Sequence, residues 1–353
     1  MLFKSINKSK IKGVFMKRCV SIVSVVLILA VAFCFTSVPA SAQVKLRFAT
    51  FFPVSHPNAA ITAEWCKEVE KRTNGKVKVQ HFPGATLTSP QSQYDSILTG
   101  VVDIANCVLG YTMGKFPLSE ILDYPLGYPS GAVATRLGNE FYKQFKPKEF
   151  DDVKVMYFHA QGPGILHTRK PVKNLDDLKG MKIRTFGSNA KMMSMLGGSP
   201  VAMPMGDAYD ALSKGVADGL LCGYEALKGW KLGEVVKSTT ENYGTAYTAT
   251  FVIAMNKAKW NSIPPDAQKV IEAINQEFIE KQGKLWVKMD QDGKEFSTKR
   301  GNQVVKLSAE ENQKWVTKIE PLFAEYVKKM KEKNLPGDKA LKFVREYIKK
   351  NTK

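Results

Sequence analysis

Histidine is scarce in this chain, four residues in 353. His56, His81, His159 and His167 are nowhere spaced as metal ligands are on a helix. The sequence lacks G-x-S-x-G and GxxxxGK[ST], so neither a nucleophile elbow nor a phosphate-cradling loop can be read from it. Cysteine is sparse as well. Cys19 and Cys34 fall in an N-terminal leader. Cys66, Cys107 and Cys222 remain, an odd number at wide intervals that makes no disulfide framework, though one pair could bridge. Cys66 in a helical pattern and Cys107 at a strand end read as small core residues. Cys222 with a distant histidine leaves a thiol-dependent periplasmic hydrolase open as an alternative, with only Arg184 available to lower the thiol pKa.

Long apolar runs are missing too, with one exception. Lys4, Lys8, Lys10, Lys12, Lys17 and Arg18 precede the apolar run from Cys19 to Phe35, and Ala40-Ser41-Ala42 follows as a small-x-small cleavage pattern. This predicts a secretory signal peptide over residues 1–42, translated from Met1 or Met16, rather than a membrane anchor. The expected mature protein is periplasmic, with no stable membrane insertion once the leader is removed. Its length suits two α/β domains. The formal charge is +19, and the leader carries six basic residues and no acid, which leaves +13 for the rest. Those lysines are interspersed with acids along helices, and only the tail around 328–333 and 349–350 is dense. The pattern is that of solvated helical faces, and export removes nucleic acid as a partner. A positive field that draws anionic small molecules is the remaining consequence.

Two stretches repeat one grammar. Val44, Leu46 and Phe48 alternate as a strand, a helix runs from Ala59 to Arg72, and a second strand covers 76–82. A helix over 90–99, stopped by Gly100, leads to a strand over 102–107. Downstream, strand 181–185, helix 188–196, strand 200–203, helix 206–214 and strand 216–221 repeat the unit. Tyr94-Asp95-Ser96-Ile97-Leu98-Thr99-Gly100 matches Tyr209-Asp210-Ala211-Leu212-Ser213-Lys214-Gly215, each with a glycine where a helix ends in the left-handed conformation. Strands over 153–159 and 247–255 could cross between the two units. Pro264-Pro265-Asp266 opens a helix that continues toward Arg300, long enough to span both. Amphipathic helices fill 308–333 and 338–350. Arg184 ends the strand after Gly180. In an α/β domain that position faces the crevice where ligands bind, and a guanidinium there can take a carboxylate bidentately.

The ordered blocks Asn174-Leu175-Asp176-Asp177-Leu178-Lys179-Gly180-Met181-Lys182-Ile183-Arg184, Leu196-Gly197-Gly198-Ser199-Pro200-Val201 and Gly215-Val216-Ala217-Asp218-Gly219 resemble the solute-binding proteins of TRAP transporters, the DctP type. Phe82-Pro83-Gly84 and Trp260-Asn261-Ser262-Ile263-Pro264-Pro265 extend the resemblance over the mature chain. It implies an α/β two-lobe clamshell, each lobe a mixed sheet flanked by helices, with a long helix spanning both. The expected lobes are 43–161 plus 251–288 and 162–250 plus 289–353. It implies a monomer without cofactor or metal that delivers a small organic acid to TRAP permease membrane subunits. A relative that docks on a sensor kinase would share the fold.

The resemblance places the carboxylate-binding arginine at Arg184. Two departures stand out. Gln161-Gly162-Pro163-Gly164 stands where many members carry a second arginine, and Leu220-Leu221-Cys222 where many carry Gln-Glu-Asn. Both remove polar groups. Candidate ligand contacts are Phe51, Phe52 and His56 after the first strand, Tyr111 after the third, and Gln161, Met205, Cys222 and Tyr224. Together they suggest a monocarboxylate with an apolar or aromatic body.

Overall fold

The computed structural model describes residues 43–352, so the expected signal peptide lies outside the described residues. Strand β1 (Val44–Ala49) buries Leu46 and Phe48 and exposes Lys45, the two-residue period of a strand with one face in a core. Helix α1 (Pro57–Arg72) starts where the His56 side chain accepts from the Asn58 N–H, and Pro57 at its first turn has no donor to leave unpaired. Its Ile61, Trp65 and Val69, four residues apart, share the buried face. Strand β2 (Val77–Phe82), helix α2 (Gln93–Leu98) and strand β3 (Ile104–Val108) complete the expected βαβαβ unit, with β2 and β3 parallel to β1 on either side. Helix α3 (Gly131–Phe145) adds to the expected elements. Ser130 caps it through Val133 N–H, and Val133, Leu137 and Phe141 form its buried stripe. Strand β4 (Val153–Ala160) follows.

The second unit comprises β5 (Ile165–Thr168), β6 (Lys182–Thr185), α4 (Asn189–Leu196), β7 (Ser199–Ala202), α5 (Ala208–Ser213), β8 (Gly219–Cys222), α6 (Glu225–Gly229) and β9 (Ser238–Glu241). Strand β10 (Thr250–Asn256) then returns to the first sheet, antiparallel to both β3 and β4. After α7 (Lys257–Asn261) and α8 (Pro265–Lys299), β11 (Gln303–Lys306) joins β9. Helices α9 (Ala309–Ile319), α10 (Pro321–Glu332) and α11 (Gly337–Asn351) end the chain. The single helix expected over 308–333 is two, because Pro321 can begin a helix but not continue one.

Two mixed sheets result, in the order β2-β1-β3-β10-β4 and β11-β9-β5-β8-β6-β7. Each is flanked by helices, which is the two-lobe clamshell. The chain crosses between sheets at residues 160–165 and 241–250, and these crossings pair with each other. Gln161 N–H donates to Ala249 O at 3.1 Å and Gly164 N–H to Tyr247 O at 2.7 Å. Helix α8 is 35 residues, about 50 Å at 1.5 Å per residue. Its Ile271, Ile274 and Phe278 pack in the core of the first sheet. At Gly293 it presses on the second lobe so closely that a Cβ there would lie 2.0 Å from Tyr224 O.

Helix α9 sits on the second lobe, where Asn312 accepts from Gly244 N–H. Helices α10 and α11, counted with the second lobe in the sequence expectation, rest on the first. Tyr326 Oη donates to Leu118 O at 2.8 Å, and Phe343 meets Phe141 and Phe145. We propose that the first lobe takes residues 321–352 as well.

Candidate functional site

Arg184 is fully buried on β6, between β7 and β8. A buried guanidinium needs an acceptor for each donor. Nε and Nη2 both donate to Met203 O, at 3.0 and 2.8 Å, and Nη2 also donates to Tyr111 Oη at 3.3 Å. Nη1 is buried and has no partner. The expected bidentate fork is therefore half used by the protein itself. The Nε/Nη2 edge is anchored on a carbonyl, and Nη1 is the nitrogen left for a ligand.

Tyr111 comes from the first lobe, just past β3, so its contact with Arg184 closes the crevice. Its hydroxyl oxygen also accepts from Met205 N–H at 3.0 Å. With both lone pairs engaged, the phenolic proton is free to be donated. Arg184 Nη1 and Tyr111 O–H thus form two donors beside one another, suited to one carboxylate.

The wall around them is aromatic. Phe186 lies under the Arg184 guanidinium at 5.5 Å and meets Tyr111 and Tyr247 edge-on at 5.3 and 5.7 Å. Phe51 stacks on Phe52 at 4.4 Å and reaches Tyr111 at 6.0 Å, Trp230 at 6.1 Å and Phe251 at 6.3 Å. Tyr247 donates to Leu221 O at 2.9 Å. Burial pushes its phenol above the usual range, and the nearby Arg184 charge offsets part of that. Gln161 is buried, with its amide beside the Tyr247 hydroxyl.

The structure thus brings Arg184, Tyr111, Phe51, Phe52, Gln161 and the Met205 backbone together. It sets three other candidates apart. Both ring nitrogens of His56 are engaged: Nδ1 accepts from Asn58 N–H, and Nε2 faces Glu225 Oε2 at 3.1 Å. Cys222 lies in an apolar cluster of the second lobe with Ile165, Met205, Leu212 and Leu220. Burial holds its thiol well above the usual value despite Arg184, the reverse of what a nucleophile needs. Tyr224 turns its hydroxyl to Glu241 Oε1 at 3.0 Å, and Lys294 completes that cluster at 2.6 Å. Cys66, Cys107 and Cys222 are all free and buried.

Phe186, Trp230, Tyr247 and Phe251 were not singled out from the sequence. Phe186 had a signal, since it stands two residues past Arg184 where β6 has ended. A separate cavity of about 500 Å³ is lined by Gly110, Asp123, Ser188 and residues of α10; neither Arg184 nor Tyr111 lines it. Among the described residues no His, Cys, Asp and Glu cluster could hold a metal, and no helix is long and apolar enough to cross a membrane.

The model of the family described as bacterial extracellular solute-binding protein, family 7, matches residues 48–330. The outer membrane transporter protein TsaT of Comamonas testosteroni is 29% identical over 223 residues, 62% of this chain and 65% of that protein. A TRAP solute-binding protein from a marine metagenome, specific for aromatic acids and solved with metahydroxyphenylacetate, is 30% identical with a TM-score of 0.83, covering 88% of this chain and 100% of that one. One from Rhodoferax ferrireducens T118, solved with copurified benzoate, is 31% identical with a TM-score of 0.81, covering 87% and 98%. Proteins with bound orotic acid and D-glucuronate, 23% and 20% identical, share the fold alone.

Proposed function

This chain belongs to family 7 of the bacterial extracellular solute-binding proteins, the TRAP type, and on that premise we propose that it captures an aromatic monocarboxylate between its lobes in the periplasm and hands it to a TRAP permease. One observation carries the reading: the unpartnered Arg184 Nη1 beside the free Tyr111 O–H, inside an aromatic wall. A carboxylate there would satisfy both donors, and a flat ring would lie against Phe51, Phe186 and Tyr247. Leu220 and Leu221, on the strand beside Arg184, are apolar and buried. Burying sugar hydroxyls against such residues costs about 1–3 kcal/mol for each one unpaired. The benzoate and metahydroxyphenylacetate held by the relatives above at 31% and 30% identity are of the class this wall suits.

A thermal-shift panel tests the reading. Benzoate, hydroxybenzoates and phenylacetates should raise the melting temperature, since a ligand that binds only the native state stabilises it by mass action. Stabilisation by sugar acids or C4-dicarboxylates and by no aromatic acid would overturn the solute class and leave family membership untouched.

A further inference from the structure

We propose that His159 is a positioning residue for solute selection. Its imidazole, fixed by two hydrogen bonds, sets the plane of Phe251 and through it that of Phe51, so that the wall of the site favours a flat ring over a puckered one. The effect on solute deepens the reading above and rests on it; the control of the wall by His159 does not.

Asn106 on β3, Phe251 on β10 and His159 on β4 come from three neighbouring strands of the first sheet, and Phe251 is paired with His159 in register. All three are buried, as is Trp286 of α8. An indole N–H can only donate, so the 3.0 Å contact of Trp286 Nε1 makes His159 Nδ1 the acceptor. The ring proton is then on Nε2 and is donated to Asn106 Oδ1 at 3.2 Å. Turning the ring over would break both bonds and leave buried polar atoms unpaired. Burial lowers the imidazole pKa to about 3, so the ring stays neutral and keeps this assignment above that pH. The imidazole is a fixed plate.

Its orientation is passed on. Phe251 lies on the plate at 4.5 Å with the two planes 4° apart. Trp286 backs Phe251 at 5.5 Å with a tilt of 22°. Phe51, the ring of this series that reaches Tyr111, lies 16° from the plane of Phe251. A wall of near-parallel rings meets a planar body over its whole face and a puckered one at only a few atoms.

Benzoate and cyclohexanecarboxylate are the probes, because they share the carboxylate and the ring size and differ in planarity. Calorimetry should show that wild type prefers benzoate by at least about tenfold. His159→Leu removes both bonds, and its preference should fall below about threefold, mainly through weaker benzoate binding. His159→Gln is the rescue: its amide can accept from Trp286 and donate to Asn106, and it should keep the wild-type preference. A role confined to stability would lower the melting temperature of His159→Leu and leave the preference unchanged. That result, or equal affinities in wild type, overturns the proposal. If His159→Leu does not fold, Trp286→Phe, which deletes one bond and keeps a ring, carries the same comparison under the same criterion. If neither probe binds wild type, the solute class fails, and a ligand-free crystal structure of His159→Leu decides the positioning role. Phe251 and Phe51 tilted from their wild-type planes would uphold it, and rings left in those planes would overturn it.

Discussion

Gly164 and the ring of Tyr247 compete for one space: a Cβ on Gly164 would lie 2.1 Å from Tyr247 Cε1. The volume a side chain at 164 would need is filled by an aromatic ring of the crossing strand. Gly164→Ala should displace Tyr247 and cost about 1–3 kcal/mol, the usual range for overpacking. Pairing it with Tyr247→Ala, which vacates the space, should make the two costs sub-additive in chemical denaturation. Full additivity would show that the ring does not occupy that space.

Arg184→Ala should weaken binding of an aromatic acid at least about thirtyfold, on the basis of about 2–5 kcal/mol for leaving a desolvated charge unpaired. Arg184→Lys should not restore it, since an ammonium cannot hold Met203 O on one edge and present a second nitrogen to the ligand. Calorimetry with benzoate checks both, and unchanged affinity in Arg184→Ala would remove Arg184 from the site.

Tyr111→Phe removes the hydroxyl that receives Arg184 Nη2 and Met205 N–H and is free to donate to the carboxylate. The expected loss is about tenfold in affinity, as 1–2 kcal/mol for unmade hydrogen bonds implies. The ring remains, so melting of the free protein should change far less. A variant that binds like wild type would leave Arg184 as the sole carboxylate donor.

Asp290 gives a pH prediction. Burial, reinforced by the Glu225 charge, raises its carboxyl to about 8, against 3.8 for the free group. Between those values the folded protein holds a proton that the unfolded chain has released. This group therefore favours folding most at low pH, and that contribution is lost as pH rises from about 4 to 8. Asp290→Asn retains an oxygen for Glu225 N–H and cannot ionise. The melting-temperature difference, variant minus wild type, should grow from pH 4 to pH 8 and level off above. A difference independent of pH would mean that Asp290 is already ionised in the fold.

The buried histidines act in the opposite sense. Burial lowers His159 to about 3 and His167 to about 4 from 6.5. Their contribution is complete above about pH 6.5 and disappears as pH falls toward 3–4, because the unfolded chain then binds protons that the folded one refuses. His159→Gln should flatten the acid limb of the stability profile, and an acid limb as steep as in wild type would exclude His159 from it.

Much was legible from local pattern. The alternation of Leu46 and Phe48 marked β1, and the Gly100 and Gly215 stops marked the ends of two repeated helices. Pro264-Pro265 marked the start of α8, and Gly180 with the strand after it marked Arg184. These are local signals, set by backbone geometry and by the period of apolar residues. Strand β9, Ser-Thr-Thr-Glu, gave no such signal: its four residues are buried and polar, and only its neighbours in the sheet supply the reason. Helix α3 carried a readable stripe in Val133, Leu137 and Phe141 behind a serine cap.

The site itself divides the same way. Sequence position alone put Arg184 and Tyr111 at strand ends on a crevice edge, because a βα unit always directs those ends there. It could not decide which guanidinium nitrogen is free, since that depends on Met203 O, nineteen residues away. Nor could it turn His56 from a ligand contact into a partner of Glu225, 169 residues distant. Hydrogen-bond partners so far apart in sequence leave no local pattern. They are assigned only when packing brings two lobes together and every buried donor must find an acceptor.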